Sequence, residues 1–148
     1  MKFELQETIG KYPVIREIGS GATSRVYLAR DPFANREVAI KVLLQSKGAD
    51  PEMERMAHKS FMTEASLAGK LNHPHIVDIY DAVVDPDRSY LVMEYVPGGT
   101  LDAHATPASV LPLVKVVEII FKCIPALEYA HNHGIIHRDI KPGNILLS

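Results

Sequence analysis

Tyr12 to Ile18 alternates apolar and polar side chains and runs directly into Gly19-Ser20-Gly21. Arg25-Val26-Tyr27-Leu28-Ala29 then reads as a returning strand. No other feature limits the fold so much, because strand–glycine turn–strand argues against the dinucleotide-binding unit, whose glycine turn opens a helix. A glycine turn lets backbone N–H groups face a polyphosphate with no Cβ in the way. The same residues also suit an ordinary tight hairpin, so the loop alone leaves both readings open.

The pattern continues as a meander. Asp31-Pro32-Phe33-Ala34-Asn35 is a turn cluster, and Glu37 to Leu44 is a third strand rich in aliphatics. After a loop over 46–51, a helix is expected over about 52–71, with Phe61, Ala65 and Ala68 at i, i+4 and i+7 and Glu64 beside them. Asn72-His73-Pro74 ends it, since proline disfavours helical geometry in the preceding residue. Strands follow over 76–84 and 89–94 around the turn Asp85-Pro86-Asp87. Pro97-Gly98-Gly99 marks a change of element and divides the chain into expected domains 1–96 and 97–148. Beyond it, a helix over about 113–132 aligns Val116, Ile120, Cys123, Leu127 and Ala130, is bent at Pro125 and stops at Gly134. Ile145-Leu146-Leu147 reads as a short last strand. Five antiparallel strands with one helix, then mainly helix, is a two-lobed α+β plan.

Composition removes several classes of function. An apolar content of 47% with 23% charged residues is that of an ordinary globular domain. The net charge of −2 gives no footprint for nucleic acid or an anionic membrane. The longest apolar stretch, around 110–130, is broken by Lys115, Glu118 and Lys122 and is not expected to span a membrane. Glu4 interrupts the place where a signal peptide would need its apolar core. The single cysteine, Cys123, forms no internal disulfide and fits a buried apolar position in a reducing compartment. The histidines have no cysteine or carboxylate cluster to complete a zinc set, so His73 reads as a loop cap and His137 as a packed loop residue.

Two further segments carry chemistry. Val38-Ala39-Ile40-Lys41 places one lysine in an aliphatic strand. Lys41 either faces solvent or finds an anion, and Glu64, on the one helix available to that sheet, is the evident counter-charge, although taken alone it reads as an exposed surface carboxylate. His137-Arg138-Asp139-Ile140-Lys141-Pro142-Gly143-Asn144 then concentrates polar groups in a loop. Asp139 is suited to accept a hydroxyl proton, Lys141 to neutralise a phosphoryl group and Asn144 to offer a metal an oxygen. Phosphoryl transfer asks for little beyond such positioning and charge neutralisation.

Taken in order, these segments resemble the protein-kinase signature set, most nearly the eukaryotic-like Ser/Thr kinases of bacteria. Leu71-Asn72-His73-Pro74 and Leu91-Val92-Met93-Glu94-Tyr95-Val96 extend the likeness, which runs from Tyr12 to Ser148. The resemblance implies a protein-kinase-like fold: a five-stranded antiparallel N-lobe sheet with one main helix, then the first helices and catalytic loop of a helical C-lobe. It implies ATP and Mg2+ as cofactors and protein Ser/Thr side chains as substrate. Ile18, Gly19, Ser20, Gly21, Ala22, Thr23 and Ser24 would cover the nucleotide phosphates. Lys41 would bind the α- and β-phosphates and pair with Glu64, while Val26, Ala39 and Leu146 would sandwich the adenine. Met93 would back the pocket, and the backbones of Glu94 and Val96 would bind the adenine edge. Asp139 would be the catalytic base, Lys141 the γ-phosphate contact and Asn144 a magnesium ligand. Lys141 two residues after Asp139 resembles the Ser/Thr class, and Arg138 before the base resembles enzymes activated by loop phosphorylation.

There are departures. Ser24 replaces the usual third glycine, and Ile140 the usual leucine. The chain contains no Asp-Phe-Gly after Asn144. The resemblance therefore implies an active parent enzyme and an inactive 148-residue chain, which is expected to self-associate through uncovered apolar surface, to be partly disordered at its C-terminus, or to be ordered only by a partner. The alternatives are a pseudokinase or nucleotide-binding scaffold and a regulatory interaction module. A cytoplasmic location is expected, with any membrane anchor of the parent lying beyond residue 148.

Overall fold

Gly10, at φ +56°, folds Thr8–Ile9 (β1) back on the start of Tyr12–Ser20 (β2), and from that turn the sheet grows. The computed structural model describes residues 7–44, 50–85, 88–136 and 140–148, without the side chains of Leu67 and Ala68. The remaining strands are Ser24–Asp31 (β3), Arg36–Leu43 (β4), Ile79–Val83 (β5) and Tyr90–Glu94 (β6). They form one antiparallel sheet in the order β1-β2-β3-β4-β6-β5. The sheet thus has six strands, where the sequence pattern predicts five. The added strand is only two residues long, too short for an alternation to register. It is held because Ile9 is almost fully buried against Tyr12 and the Val14 N–H donates to the Glu7 carbonyl at 2.8 Å.

β4 is the central strand, and Val38, Ala39, Ile40 and Val42 are all buried, as a strand covered on both faces requires. Ala29, Val38, Ile40, Val42, Tyr90 and Val92 pack with Ile9 and Tyr12 into one core on the first face. The β3–β4 turn is held by Asp31, whose Oδ1 accepts the N–H groups of Phe33 and Ala34 at 2.9 and 3.0 Å. The Ala34 bond foremost, and the Phe33 bond after it, hold the Asp31 carboxyl below the usual aspartate range despite its burial.

The helix α1, Pro51–Ala68, starts where its sequence permits. The Asp50 side chain accepts the Glu52 N–H at 3.1 Å, Pro51 opens the first turn, and Glu52 and Glu54 face the positive end of the helix dipole. Phe61, 3% exposed, anchors it. It stops before Gly69, earlier than the expected Leu71.

The chain divides into two compact units, Met1–Lys70 with Asp78–Tyr95 and Leu71–Val77 with Val96–Ser148. The second is built on the helix α2, Leu113–Asn132, which contains Pro125 and gives way to Gly134 at φ +79°. Ala126 and Ala130 are its buried residues. Lys115, Glu118 and Lys122 form an ion-paired stripe with contacts of 3.5 and 3.1 Å. Leu113, Val114, Val117, Phe121 and Ile124 are exposed, and so is Ile120, which the periodicity places on the covered stripe. Among the described residues no helix is long and apolar enough to cross a membrane.

The expected last strand shrinks to a single bridge, Thr100 with Leu146. Its partner segment turns at Gly99, φ +75°, and enters a 3-10 turn over Leu101–His104, which leaves no ladder to extend.

Candidate active site

Residues directly opposite one another in an antiparallel sheet share a face. Lys41 lies opposite Val26 and Leu91, and Ala39 opposite Leu28 and Met93. The two-residue period of β4 therefore sends Ala39 and Lys41 to the face away from the Ile40 core, together with Val26 and Met93. Lys41 Nζ meets Glu64 Oε2 of α1 on that face at 2.9 Å. The two side chains are 28% and 46% exposed, so the pair adds under about 1 kcal/mol to stability. Its consequence is positional: a flexible ammonium is fixed at one place beside the glycine turn. A cavity of about 150 Å³ elsewhere in the chain is apolar, whereas the one here, about 60 Å³, is lined by Thr23, Ser24, Lys41, Ser60, Phe61 and Glu64. It is far smaller than the several hundred Å³ of a typical ligand pocket, so it houses the ion pair and not a nucleotide.

The glycines of the turn are informative in a different way. Ile18, Gly19 and Ser20 end β2, Gly19 lies opposite Val26, and Ser24 begins β3, so Gly21, Ala22 and Thr23 form the connection. The Gly21 N–H donates to the Ser24 carbonyl at 2.8 Å. A Cβ at Gly19 would meet Val26 at 3.5 Å, and one at Gly21 would meet the Ser24 carbonyl at 3.7 Å, both ordinary contacts. Neither position has positive φ. By contrast, a Cβ at Gly10 would collide with the Tyr90 hydroxyl, and one at Gly98 with the Leu147 carbonyl. The fold thus demands glycine at 10 and 98 and tolerates a side chain at 19 and 21.

Glu94 ends β6, and Met93 before it is half-buried. In the second unit, Val96 is half-buried near the start of a segment that grips the chain's last residues. The Leu101 N–H donates to the Ile145 carbonyl at 2.8 Å and the Leu147 N–H to the Gly99 carbonyl at 2.9 Å, which fixes Leu146 between them. Lys141 caps a 3-10 turn over Pro142–Asn144, and the Asn144 N–H donates to the Lys141 carbonyl at 3.0 Å. Lys141 and Asn144 are exposed and sit within one turn of each other. His137, Arg138 and Asp139 lie outside the described residues.

No cluster of three or more His, Cys, Asp or Glu occurs among the described residues. Asn144 offers a hard, neutral amide oxygen, which fits a magnesium ion that takes most of its ligands from phosphate and water.

One anchoring contact has no counterpart in the sequence pattern. The Tyr129 hydroxyl accepts the Asn72 N–H at 3.1 Å, and its ring lies 5.3 Å from that of His73 and 4.3 Å from that of His133. The i, i+4 spacing of Tyr129 and His133 signals the second ring contact, while the bond to Asn72 joins residues far apart in the chain. The His73 ring accepts the His75 N–H at 3.1 Å, the loop-capping role expected from its place beside Pro74.

Known proteins resemble this chain in sequence and in fold. The protein kinase domain family model matches residues 12–148. The serine/threonine-protein kinase PrkC of Bacillus subtilis is 43% identical over 138 residues, 93% of this chain and 21% of that protein. PknB of Mycolicibacterium smegmatis is 40% identical over 148 residues, 97% of this chain and 23% of that protein. The crystal structure of the Mycobacterium tuberculosis PknI kinase domain superposes with a TM-score of 0.76 at 34% identity, covering 97% of this chain and 57% of that one. The chain thus spans about a fifth of the length of these curated relatives.

Proposed function

The chain belongs to the protein kinase family, and from that premise we propose that the full-length protein transfers the γ-phosphate of ATP to Ser or Thr hydroxyls of protein substrates. The observation that carries this reading is the Lys41–Glu64 pair at 2.9 Å beside a turn whose glycines the fold itself does not require. Glycines that packing leaves optional are explained by what approaches from outside, and close backbone approach to phosphates is their established use. Lys41, held by Glu64, then takes the α- and β-phosphates. Ile18 to Ser24 covers them, and Val26, Ala39 and Leu146 hold the base, with Met93 behind it and the backbones of Glu94 and Val96 at its edge.

In this reading the substrate hydroxyl gives its proton to Asp139 as its oxygen forms the new bond to the γ-phosphorus, and ADP departs with the bridging oxygen. Lys141 neutralises charge on the γ-phosphoryl group. Magnesium, when bound, would supply positive charge to offset that of the phosphates, and Asn144 is the residue here that would hold it. The spacing of Asp139 and Lys141 and the Ser/Thr kinases among its relatives favour Ser/Thr over Tyr as acceptor. Domain 1–96 forms the nucleotide-binding lobe and 97–148 the start of the catalytic lobe, in the cytoplasm where ATP is plentiful.

Lys41→Met in the full-length protein tests the reading. Phosphate transfer to a generic acceptor protein is expected to fall at least about a hundredfold, the cost of losing one preorganised charge contact. Thermal stability should change by less than about 1 kcal/mol, because the ion pair is partly exposed. Undiminished transfer by the variant would remove Lys41 from the reaction and the reading with it.

A further inference from the structure

Having left the first unit after Lys70, the chain re-enters it at Asp78 and leaves it again after Tyr95. These two points are fastened together by one residue. The Glu94 N–H donates to the Asp78 carbonyl at 2.9 Å, and the Asp78 N–H donates to Glu94 Oε2 at 3.2 Å. A single residue thus takes both backbone groups of its partner, one with its main chain and one with its side chain.

The regular ladder does not supply this second bond. β5 and β6 pair from Ile79 opposite Met93, with an irregularity between Ile79 and Asp81. The Glu94 carboxylate therefore adds a fastening point where the strand pairing is weakest. Glu94 and Asp78 are both half-buried, and Glu94 takes part in none of the ion pairs among the described residues. A half-buried carboxylate bonded to a backbone N–H, with no ion-pair partner among the described residues, is a costly way to obtain stability alone. It is an effective way to fix a backbone direction.

We propose that Glu94 acts through its side chain as a positioning residue for the nucleotide, clasping Asp78 so that the Glu94 carbonyl keeps one direction toward the adenine edge. The inference rests on the kinase reading above and deepens it. The Glu94 N–H is committed to Asp78, so the only backbone group Glu94 can offer a purine is its carbonyl. The clasp restrains Glu94 at its N–H and at the end of its side chain, which leaves the following peptide little freedom to turn. Loosening it should weaken ATP binding more than it slows chemistry.

The test uses the full-length protein and separates KM for ATP from kcat. In Glu94→Ala, KM should rise about five- to tenfold, the loss of one charge-assisted hydrogen bond, while kcat changes less than about twofold. Glu94→Gln keeps an acceptor for the Asp78 N–H and should recover most of the affinity. Asp78→Pro removes the donor from the other side and should raise KM in the same way. The double variant Glu94→Ala with Asp78→Pro should add little beyond either single change, because both break one contact. An unchanged KM in Glu94→Ala overturns the proposal, as does a Glu94→Gln variant as impaired as Glu94→Ala. If Glu94→Ala does not fold, an unchanged KM in Asp78→Pro overturns it equally. No ATP-dependent turnover by the wild-type protein overturns the kinase reading and this proposal together. Wild-type turnover with an unaltered variant KM overturns this proposal alone.

Discussion

Asp31 shows how one side chain sets a turn and makes it sensitive to pH. Two backbone N–H groups donate to one carboxylate oxygen, and they hold the carboxyl below its usual range. A carboxyl whose folded pKa is lowered contributes stability that is present above the unfolded value of about 4 and is lost as pH falls through the folded value. The first unit should therefore lose stability on acidification below about pH 4, and Asp31→Asn should flatten that part of the profile while lowering stability at neutral pH. Thermal melts across this range give the comparison; parallel profiles for the two proteins would show that the turn draws nothing from the charge. Single residues are also where the sequence is most legible. The Val38-Ala39-Ile40-Lys41 run and Glu64 point to the ion pair, because a lysine on a covered strand has few places to send its charge, but it takes the whole signature pattern to prefer pairing over a solvent-facing lysine and a surface carboxylate. The Glu94–Asp78 and Tyr129–Asn72 bonds are not legible there, since each joins a side chain to a backbone group that no residue type advertises.

The glycines belong to the scale of the element. Gly10 and Gly98 serve packing, whereas Gly19 and Gly21 leave room that the fold does not use. Gly19→Ala and Gly21→Ala should thus leave the melting temperature of the full-length protein nearly unchanged and weaken ATP binding. Gly10→Ala should destabilise the sheet by about 1 kcal/mol or more, because φ is positive and the Tyr90 hydroxyl is in the way. Calorimetric melts paired with nucleotide titration separate the two classes, and a large loss of stability at Gly19 or Gly21 would mean the loop is a structural hairpin. Elements with a strong period are legible: the β2–β3 and β3–β4 hairpins, α1 and α2 all fall within a few residues of expectation. Those that depart from it are short or end-limited. β1 has two residues and is fixed by burial of Ile9, and the expected strand at Ile145–Leu147 is cut to one bridge by the turn at Gly99.

At the scale of the molecule, the sheet unit carries a fixed cation and an open glycine turn, while the helical unit carries Lys141 and Asn144 in one tight turn. α2 carries exposed apolar side chains, Val114, Leu113 and Phe121 foremost. Family membership is legible because each of its signature segments is short and contiguous and they follow in a fixed order, whereas no periodicity predicts which helix faces remain open. The reaction proposed for the full-length protein is phosphate transfer from ATP to protein Ser or Thr, with Asp139 as base. The most direct measurement is radiolabel transfer from γ-labelled ATP by the full-length protein and by Asp139→Asn, with ATP affinity determined for both. Label is expected on Ser and Thr with the wild-type protein, with a loss of at least about a hundredfold in the variant and ATP affinity nearly equal in the two. Tight ATP binding by the wild-type protein without transfer, or full transfer by the variant, would contradict that reading.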